Sequence, residues 1–355
     1  MSENSMAKCV PSKINKPLNR DLQTAKVAKQ DEFYTQLTDI EKELRHYTRH
    51  FKGKTVLCNC DDPRVSNFFH YFSYNFERLG LRKLIATCYK NQDAERFSKR
   101  ASTRGIYLVY EGDKNDRVPD PSKIGIRKLE GDGDFRSEEC IELLKQADIV
   151  VTNPPFSLFR EYVRQLVQYE KKFLIIGNVN AISYKECFEL IQKGKMWLGP
   201  TIHSGNNEFG VPDYYPLNAT SARIDDAGNK FIRVKGVRWF TNLDVEKRHE
   251  EIILFHEYSP EKYPTYANFD AIEVGKTAEI PADYDGLMGV PITFLDKYNP
   301  DQFEIVGSGR TLARPMSEVA EKGTYQQGGP CFYLANGNRT YRRMYFRLVI
   351  KRRLP

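Results

Sequence analysis

The amino-acid sequence predicts an α/β protein built on an open, mostly parallel sheet with helices on both faces. Short apolar runs of strand length recur through residues 55–244, and segments with the apolar spacing of helices lie between several of them. Strands that alternate with helices are typical of doubly wound parallel sheets. Such sheets bind ligands beyond the carboxyl ends of their strands, so we expect the functional site at that edge.

The predicted elements follow one another in a regular order. A helix is predicted over about residues 36–50, where apolar residues recur at helical spacing. Two further helices are predicted to begin after Ser137 and Ser157, which are good N-cap residues. The stretch 204–210 is rich in Gly and Asn and is predicted to be a loop. Strands are predicted over residues 55–60, 83–89, 106–110, 128–131, 148–153, 172–179, 196–199 and 236–244.

The positive charge of the chain is concentrated at its two ends. The 355 residues carry a formal net charge of +7, yet residues 1–30 hold six Lys/Arg against two acids, and residues 339–355 hold seven Lys/Arg and no acid. The chain between these ends is therefore slightly negative. Clusters of positive charge are expected in a protein that binds a polyanion, although two solvated tails would have the same composition.

The composition also bounds the class of protein. Residues 1–30 are polar and lack periodicity, so they are predicted to form a disordered arm. No apolar run approaches the roughly 20 residues of a membrane span, and the N-terminus has no signal-peptide pattern, so we expect a soluble intracellular protein. The seven cysteines are scattered and odd in number, which favours reduced thiols over a disulfide framework.

The basic C-terminal segment is predicted to contain a strand over residues 342–351. Apolar and mostly basic residues alternate along it, so one face would pack on the protein. A solvated edge strand, whose charges discourage aggregation, is the alternative to a polyanion-binding face. The opposite face would present three cations that we predict to contact phosphates: Arg343, Arg347 and Lys351.

The clearest chemical motif is Asn153-Pro154-Pro155-Phe156, which directly follows an apolar strand and precedes a predicted helix. Two consecutive prolines cannot continue a strand or sit inside a helix, so they hold a rigid turn at the strand's carboxyl end. Asn-Pro alone is common in ordinary strand-ending turns. The whole tetrapeptide in a strand–turn–helix context is more specific.

This turn suits the methylation of an adenine amine, which is a poor nucleophile because its lone pair is delocalised into the ring. The Asn153 carboxamide oxygen and a nearby backbone carbonyl can both accept hydrogen bonds from that NH2 group. They would favour a tetrahedral nitrogen whose lone pair points at a methyl donor. Phe156 can stack on a base swung out of the duplex, an interaction worth roughly 1–3 kcal/mol.

The Asn153–Phe156 turn resembles the catalytic motif of amino-methyltransferases that use S-adenosylmethionine. Over residues 31 to about 310 the sequence is similar to the EcoRI-type adenine-specific modification methyltransferases. This resemblance implies a Rossmann-like sheet and base flipping. Three further segments resemble the cofactor-contacting motifs of adenine methyltransferases: Asp31-Glu-Phe-Tyr34-Thr35-Gln36, Val56-Leu-Cys-Asn-Cys-Asp61-Asp62-Pro63 and Gly131-Asp-Gly-Asp134-Phe135.

The resemblance also implies roles for individual residues. Asn153, Pro154, Pro155 and Phe156 would form the catalytic turn. The usual glycine-rich cofactor loop is replaced here by residues 62–67, and Thr87-Cys88-Tyr89 stands where an acid for the cofactor ribose is usual. The residues implied to contact S-adenosylmethionine are Tyr34, Thr35, Asp61, Asp62, Pro63, Asp134, Phe135 and Asn153.

Simpler interpretations exist for several of these residues. The cofactor-contacting acids could cap turns, and the residues before the first helix could pack against it. Cys58 and Cys60 would share one face of a strand, as half of a metal site would. No second Cys/His pair has suitable spacing, so we expect buried free cysteines and no metal.

We therefore expect a DNA adenine-N6 methyltransferase. Residues 31–250, with an insertion at 200–236, would form the catalytic domain, and residues 251–355 would form a smaller, irregular region that recognises double-stranded DNA. We expect a cytoplasmic, bacterial or phage-encoded monomer, with a cognate restriction endonuclease as a candidate partner. The alternatives are methylation of RNA or of a protein glutamine amide, and an inactive nucleic-acid-binding protein of the same fold.

Overall fold

The computed structural model describes residues 34–353 apart from 61, 90–103, 113–118, 203–205 and 212–221. The disordered arm expected over residues 1–30 and the predicted cofactor residue Asp61 lie outside the described residues. The first cofactor-contacting motif is described from Tyr34 onward.

The described strands are, in chain order, β1 (Tyr34–Thr35), β2 (Thr55–Asn59), β3 (Lys83–Cys88), β4 (Ile106–Tyr110), β5 (Arg127–Lys128), β6 (Ile149–Thr152), β7 (Lys172–Asn178), β8 (Trp197–Leu198), β9 (Asn206–Val211), β10 (Ala222–Ile224), β11 (Lys230–Lys235), β12 (Val237–Thr241), β13 (Ile272–Glu273), β14 (Met288–Pro291), β15 (Phe303–Ser308), β16 (Tyr333–Ala335), β17 (Tyr341–Arg343) and β18 (Arg347–Arg352). The α-helices are α1 (Leu37–Leu44), α2 (Thr48–Phe51), α3 (Asn67–Tyr74), α4 (Phe76–Leu79), α5 (Pro121–Ile124), α6 (Glu138–Gln146), α7 (Phe159–Gln168), α8 (Lys185–Gln192) and α9 (Gly309–Leu312). Short 3-10 helices span Arg45–Tyr47, Phe156–Leu158, Val179–Ser183, Glu246–His249, Thr277–Glu279, Ile292–Lys297 and Met316–Glu318.

The centre of the molecule is an eight-stranded sheet with the order β5-β4-β3-β2-β6-β7-β12-β8. The four central strands, from β3 to β7, are parallel. The two strands at each edge pair antiparallel, so the prediction of a mostly parallel sheet was wrong there. Apolar spacing within a strand shows that the strand exists but does not show the direction of its neighbour.

Side chains that alternate along the central strands enter two apolar cores, one on each face of the sheet. In β2, for example, Val56 and Cys58 enter one core and Leu57 enters the other. Helices α1, α3 and α4 contribute to the first core, and α6, α7 and α8 contribute to the second. The predicted α/β class is thus confirmed.

The starts of the helices were predicted with mixed success. The Ser137 hydroxyl accepts a hydrogen bond from the backbone N–H of Cys140 at 3.3 Å and so caps α6, as predicted. Ser157 caps no helix, because it lies inside the 3-10 helix that follows the two prolines, and α7 begins only at Phe159. The first predicted helix is interrupted by the 3-10 helix Arg45–Tyr47.

A second, four-stranded sheet has the order β1-β9-β11-β10. Phe209, Ile232 and Val234 bury their side chains in the core that also contains α3, so this sheet packs against the main fold. The loop predicted over residues 204–210 was wrong, since β9 pairs with strands on both sides. Pairing with distant strands overrides the local preference of a Gly/Asn-rich segment.

The C-terminal region contains a four-stranded sheet, β13-β14-β18-β15, and the two-stranded ribbon β16–β17. Ile272, Met288, Leu348 and Ile350 enter the core that covers the α7 face of the main sheet. The apolar core is therefore continuous from the main sheet into the C-terminal region.

The single strand predicted over residues 342–351 was wrong. The chain ends β17 at Arg343 and begins β18 at Arg347, and the two strands belong to different sheets. Tyr345, between them, is 87% exposed. Val349 is buried although its face was predicted to be solvated, because β18 is covered on both sides by separate apolar clusters.

Candidate active site at the carboxyl edge of the sheet

The order of the central strands reverses at β2. From β2 the chain passes to β3 on one side, and it later returns to β6 on the other side. The crevice beyond the carboxyl ends of two such strands is where sheets of this kind bind ligands. Asp62 follows β2 and Asn153 follows β6, so the structure brings these two predicted segments to the same crevice.

A series of contacts joins the segments at this edge. The Thr152 hydroxyl donates a hydrogen bond to the Asn59 carbonyl oxygen, and the Tyr162 hydroxyl donates to Asn59 Oδ1. The Tyr162 ring also packs edge-on against Phe135, with the ring centroids 5.0 Å apart. Burial raises the pKa of Tyr162 well above its ordinary value, so its hydroxyl stays protonated and remains a donor.

The predicted catalytic turn lies directly beyond β6. Asn153 and Pro154 are buried, whereas Pro155 and Phe156 are partly exposed. Pro155 is extended (φ −52°, ψ 126°), and the 3-10 helix begins at Phe156, whose ring packs partly against the core. The two prolines therefore end the strand and leave Asn153 at its carboxyl terminus, as the sequence predicted.

The turn after β2 is held by a local ion pair. Nε of Arg64 lies 2.9 Å from both carboxylate oxygens of Asp62, and the backbone N–H of Arg64 donates to Oδ1 at 2.9 Å. Pro63, between them, is buried. Cys60, at the start of the turn, has φ 80°, a left-handed conformation that is rare for a non-glycine residue and is often found at functional sites.

The loop 131–135 crosses the carboxyl end of β3. Gly133 has φ 80°, and a Cβ there would lie 2.3 Å from the Cys88 carbonyl oxygen, so this close approach requires glycine. The Asp134 carboxylate binds Arg136, with Nη2 at 2.7 Å from Oδ2. Arg136 also binds Glu161 of α7 at 2.9 Å, which joins the loop to the helix after the predicted catalytic turn.

Strand β1 places Thr35 beside the start of α3, where Nδ2 of Asn67 donates to its carbonyl oxygen at 2.8 Å. Thr35 is 3% exposed, and its hydroxyl has no hydrogen-bond partner among the described residues. An unsatisfied buried polar group costs about 1–3 kcal/mol, so this position fits a hydroxyl that contacts a ligand. Tyr34, its neighbour, is partly exposed.

The sequence contains one further signal for these two turns. Asp62 and Asp134 are each followed two residues later by an arginine that binds back to the carboxylate, Arg64 and Arg136. The repeated Asp-x-Arg spacing is visible without a structure. Tyr162, by contrast, lies on the apolar face of a helix and gives no local sign of its role at the site.

The three predicted phosphate-binding cations do not share a face. Arg343 donates from Nη2 to the Gly329 carbonyl oxygen at 3.1 Å, and Lys351 is exposed on β18. Arg347 is paired with Glu273 at 2.7 Å, and the two side chains are only 11% and 9% exposed. The predicted common face was wrong because Glu273 draws Arg347 into the protein.

Within the part of the chain that the structure describes, no group of three or more His, Cys, Asp or Glu side chains is suited to hold a metal ion. None of the described helices is long and apolar enough to cross a membrane.

Comparison with known proteins gives the family. The protein-family model described as "Adenine-specific methyltransferase EcoRI" matches residues 21–353. The Type II methyltransferase M.EcoRI of Escherichia coli is 53% identical over 290 residues, which cover 81% of this chain and 89% of that protein. The Type II methyltransferase M.MgeORF184P of Mycoplasma genitalium is 40% identical over 301 residues, which cover 83% of this chain and 87% of that protein. The Type II methyltransferase M.MpnI of Mycoplasma pneumoniae is 38% identical over 302 residues, which cover 83% of this chain and 86% of that protein. No solved structure gives a significant match. The chain therefore belongs to the EcoRI family of adenine-specific methyltransferases.

Proposed function

We propose that this protein transfers a methyl group from S-adenosylmethionine to N6 of a flipped-out adenine in double-stranded DNA. The observation that carries this proposal is the position of the Asn153–Phe156 turn, at the strand-order reversal between β2 and β6. Membership of an adenine-specific family supports adenine as the target base. Relatives named Type II methyltransferases support DNA as the substrate.

The residues at the carboxyl ends of β2 and β3 fit S-adenosylmethionine, which supplies an activated methyl group on sulfur. The unsatisfied hydroxyl of Thr35 and the turn at Asp62 and Pro63 would line this edge, because Asn67 at the start of α3 binds the Thr35 carbonyl oxygen, and Tyr34 would adjoin it. Asp134 would accept a hydrogen bond from the adenine amine of the cofactor, and Phe135 would pack beside it. The parallel strands with helices on both faces support a Rossmann-like interpretation of the sheet.

Catalysis would then depend on orientation and local electrostatics. The Asn153 side-chain oxygen and a neighbouring backbone carbonyl accept hydrogen bonds from the target amine and direct its lone pair at the methyl group. Phe156, which is partly exposed, stacks on the flipped base. No strong base is required, because the nitrogen loses its proton after it has attacked.

In the direct test, purified protein is incubated with labelled S-adenosylmethionine and unmethylated duplex DNA, and the labelled product is identified. We expect the label in N6-methyladenine, and long-read sequencing of the product identifies the modified site. Label found only in cytosine, RNA or protein would contradict the proposal. Calorimetry without DNA distinguishes the inactive alternative, which would bind no S-adenosylmethionine.

We further propose that the enzyme acts as a monomer in the cytoplasm, alongside a cognate restriction endonuclease. Light scattering at the assay concentration should give the mass of one chain, 41.2 kDa. A mass near twice this value would contradict the monomer.

A further inference from the structure

The ribbon β16–β17 ends in an exposed turn over residues 336–340. The backbone N–H of Asn336 donates to the Thr340 carbonyl oxygen at 2.8 Å, which closes the turn. Gly337, Asn338 and Arg339 have φ values of 73°, 45° and 57°, all in the left-handed region. The turn therefore exposes Asn338 and Arg339 at its tip.

Arg339 is an unusual residue for this position. Glycine and, less readily, asparagine adopt left-handed backbone, whereas a longer side chain is strained there. The Arg339 side chain is exposed, and within the described part of the chain it has no hydrogen bond, ion pair or aromatic contact that would offset this strain. Strain that is kept at an exposed cation indicates that the side chain has a function outside the fold.

The cations of the C-terminal segment fall into two groups. The side chains of Arg339, Arg342 and Lys351 are exposed, and no hydrogen bond or ion pair of these side chains is found within the described residues; Lys351 lies on β18, in a different sheet from the ribbon. No Asp or Glu occurs from residue 322 to residue 355, so the exposed part of this segment has the charge that binds a polyanion. The cations of the other group bind acceptors inside the protein: Arg343, Arg347, Arg352 and Arg353.

Arg343 positions a second exposed segment beside the ribbon. Its guanidinium lies over Gly328, where a Cβ would come within 2.9 Å of the Arg343 Cζ atom. The Tyr333 hydroxyl of β16 donates to the Gln326 carbonyl oxygen at 2.6 Å. The exposed residues Gln326 and Gln327 are therefore held next to the ribbon, and they add amide groups to its surface.

We propose that the β16–β17 ribbon enters the major groove of the substrate duplex and reads base edges through Asn338, Arg339 and Arg342. This inference rests on the proposed function and adds to it the element that selects the target sequence. The major groove admits a two-stranded ribbon, and arginine and asparagine make paired hydrogen bonds with guanine and adenine. Three-residue strands at about 3.4 Å per residue give a ribbon roughly 10 Å long, and the groove is about 8.5 Å deep.

The test compares the motif methylated by the wild-type protein with the motifs of Asn338→Ala, Arg339→Gly and Arg342→Ala. Each protein methylates the same unmethylated genomic DNA, and long-read sequencing maps the sites. Arg339→Gly removes the side chain and also the backbone strain, so its unfolding midpoint should stay equal or rise. A loss of selectivity in this variant is therefore distinct from misfolding. Lys297→Ala, an exposed lysine of the same region that is not part of the ribbon, is the matched control.

We expect each ribbon variant to relax the motif at one base position, with discrimination there falling about 5- to 150-fold. Affinity for S-adenosylmethionine and the motif of Lys297→Ala should not change. Variants that keep the wild-type motif and turnover would overturn the inference. So would a uniform loss of affinity for all duplexes with a weaker salt dependence, because that result assigns the ribbon to phosphates. A wild-type protein that methylates no DNA would instead overturn the proposed function itself.

Discussion

The largely buried pair of Arg347 and Glu273 gives the sharpest test of how the C-terminal region is held. Nε and Nη2 of Arg347 lie 2.7–3.0 Å from the Glu273 carboxylate, and the Tyr266 hydroxyl donates to the same group. Arg347→Ala would leave this carboxylate buried without a cation. Removal of one partner of a buried pair costs about 3–5 kcal/mol, a large part of the usual 5–15 kcal/mol of stability.

The loss should be reversed when both charges are removed. Arg347→Met with Glu273→Gln keeps an acceptor for the Tyr266 hydroxyl, and we expect it to recover most of the stability, because an apolar replacement of a buried pair is often neutral. Urea unfolding of the wild type, of Arg347→Met, of Glu273→Gln and of the double variant measures the coupling between the two side chains. DNA binding should depend on salt concentration equally in all of these proteins, because Arg347 is paired with Glu273 and contacts no phosphate.

An Arg347→Ala protein that stays within about 1 kcal/mol of the wild type would refute this reasoning. The refutation would be complete if its DNA binding also became less dependent on salt. One lost phosphate contact lowers the slope of log DNA affinity plotted against log salt concentration by about 0.9. In that case Arg347 would be a solvated cation, as the sequence alone predicts.

Three other predictions concern the site and its support. Asn153→Ala should lower turnover about a hundredfold or more while the affinities for cofactor and DNA change little, and near wild-type single-turnover rates would show that the turn is only structural. Thr35→Val removes an unsatisfied buried hydroxyl, so the free protein should unfold at higher urea while calorimetry shows weaker binding of S-adenosylmethionine; equal affinity would exclude the hydroxyl as a ligand contact. Burial raises the pKa of Glu43 from 4.5 to about 7 against the hydrogen bonds from Thr201 and Tyr47. Between these two pKa values the Glu43 carboxyl is protonated in the folded state and ionised in the unfolded state. The free energy of unfolding therefore falls as the pH rises from 4.5 to 7, by about 3 kcal/mol in total. Glu43→Gln should remove this part of the pH dependence, and unfolding curves at pH 4.5 and 8 that keep the wild-type difference would contradict the assignment.

The parts of the fold that the sequence predicts are those that local pattern controls. The strand Ile106–Tyr110 was predicted with its observed bounds, and the central strands were each predicted to within two residues. The turn at Asn153 was placed correctly because two prolines can neither continue a strand nor enter a helix. Ser137 was identified as a cap because its hydroxyl acts on its own helix.

The parts that the sequence does not predict depend on distant partners. Arg347 and Glu273 are 74 residues apart, and nothing near Arg347 distinguishes it from a solvated arginine. The break between β17 and β18 has the same origin, because each strand pairs with a different part of the chain. The net charge of the C-terminal segment therefore predicts more cations available to bind a polyanion than the structure leaves exposed.

One helix connects the parts of the site. Helix α7 begins three residues after Phe156, and its first turns carry Glu161 and Tyr162. Glu161 holds Arg136 and through it the Asp134 loop, while Tyr162 contacts Phe135 of that loop and Asn59 at the end of β2. Two of the three segments predicted to contact the cofactor, those that end at Pro63 and at Phe135, are thus fixed to the helix that directly follows the predicted catalytic turn. A substitution that shifts α7 should therefore disturb cofactor binding and turnover together, whereas a change at the Asn153 side chain should affect turnover much more than cofactor binding.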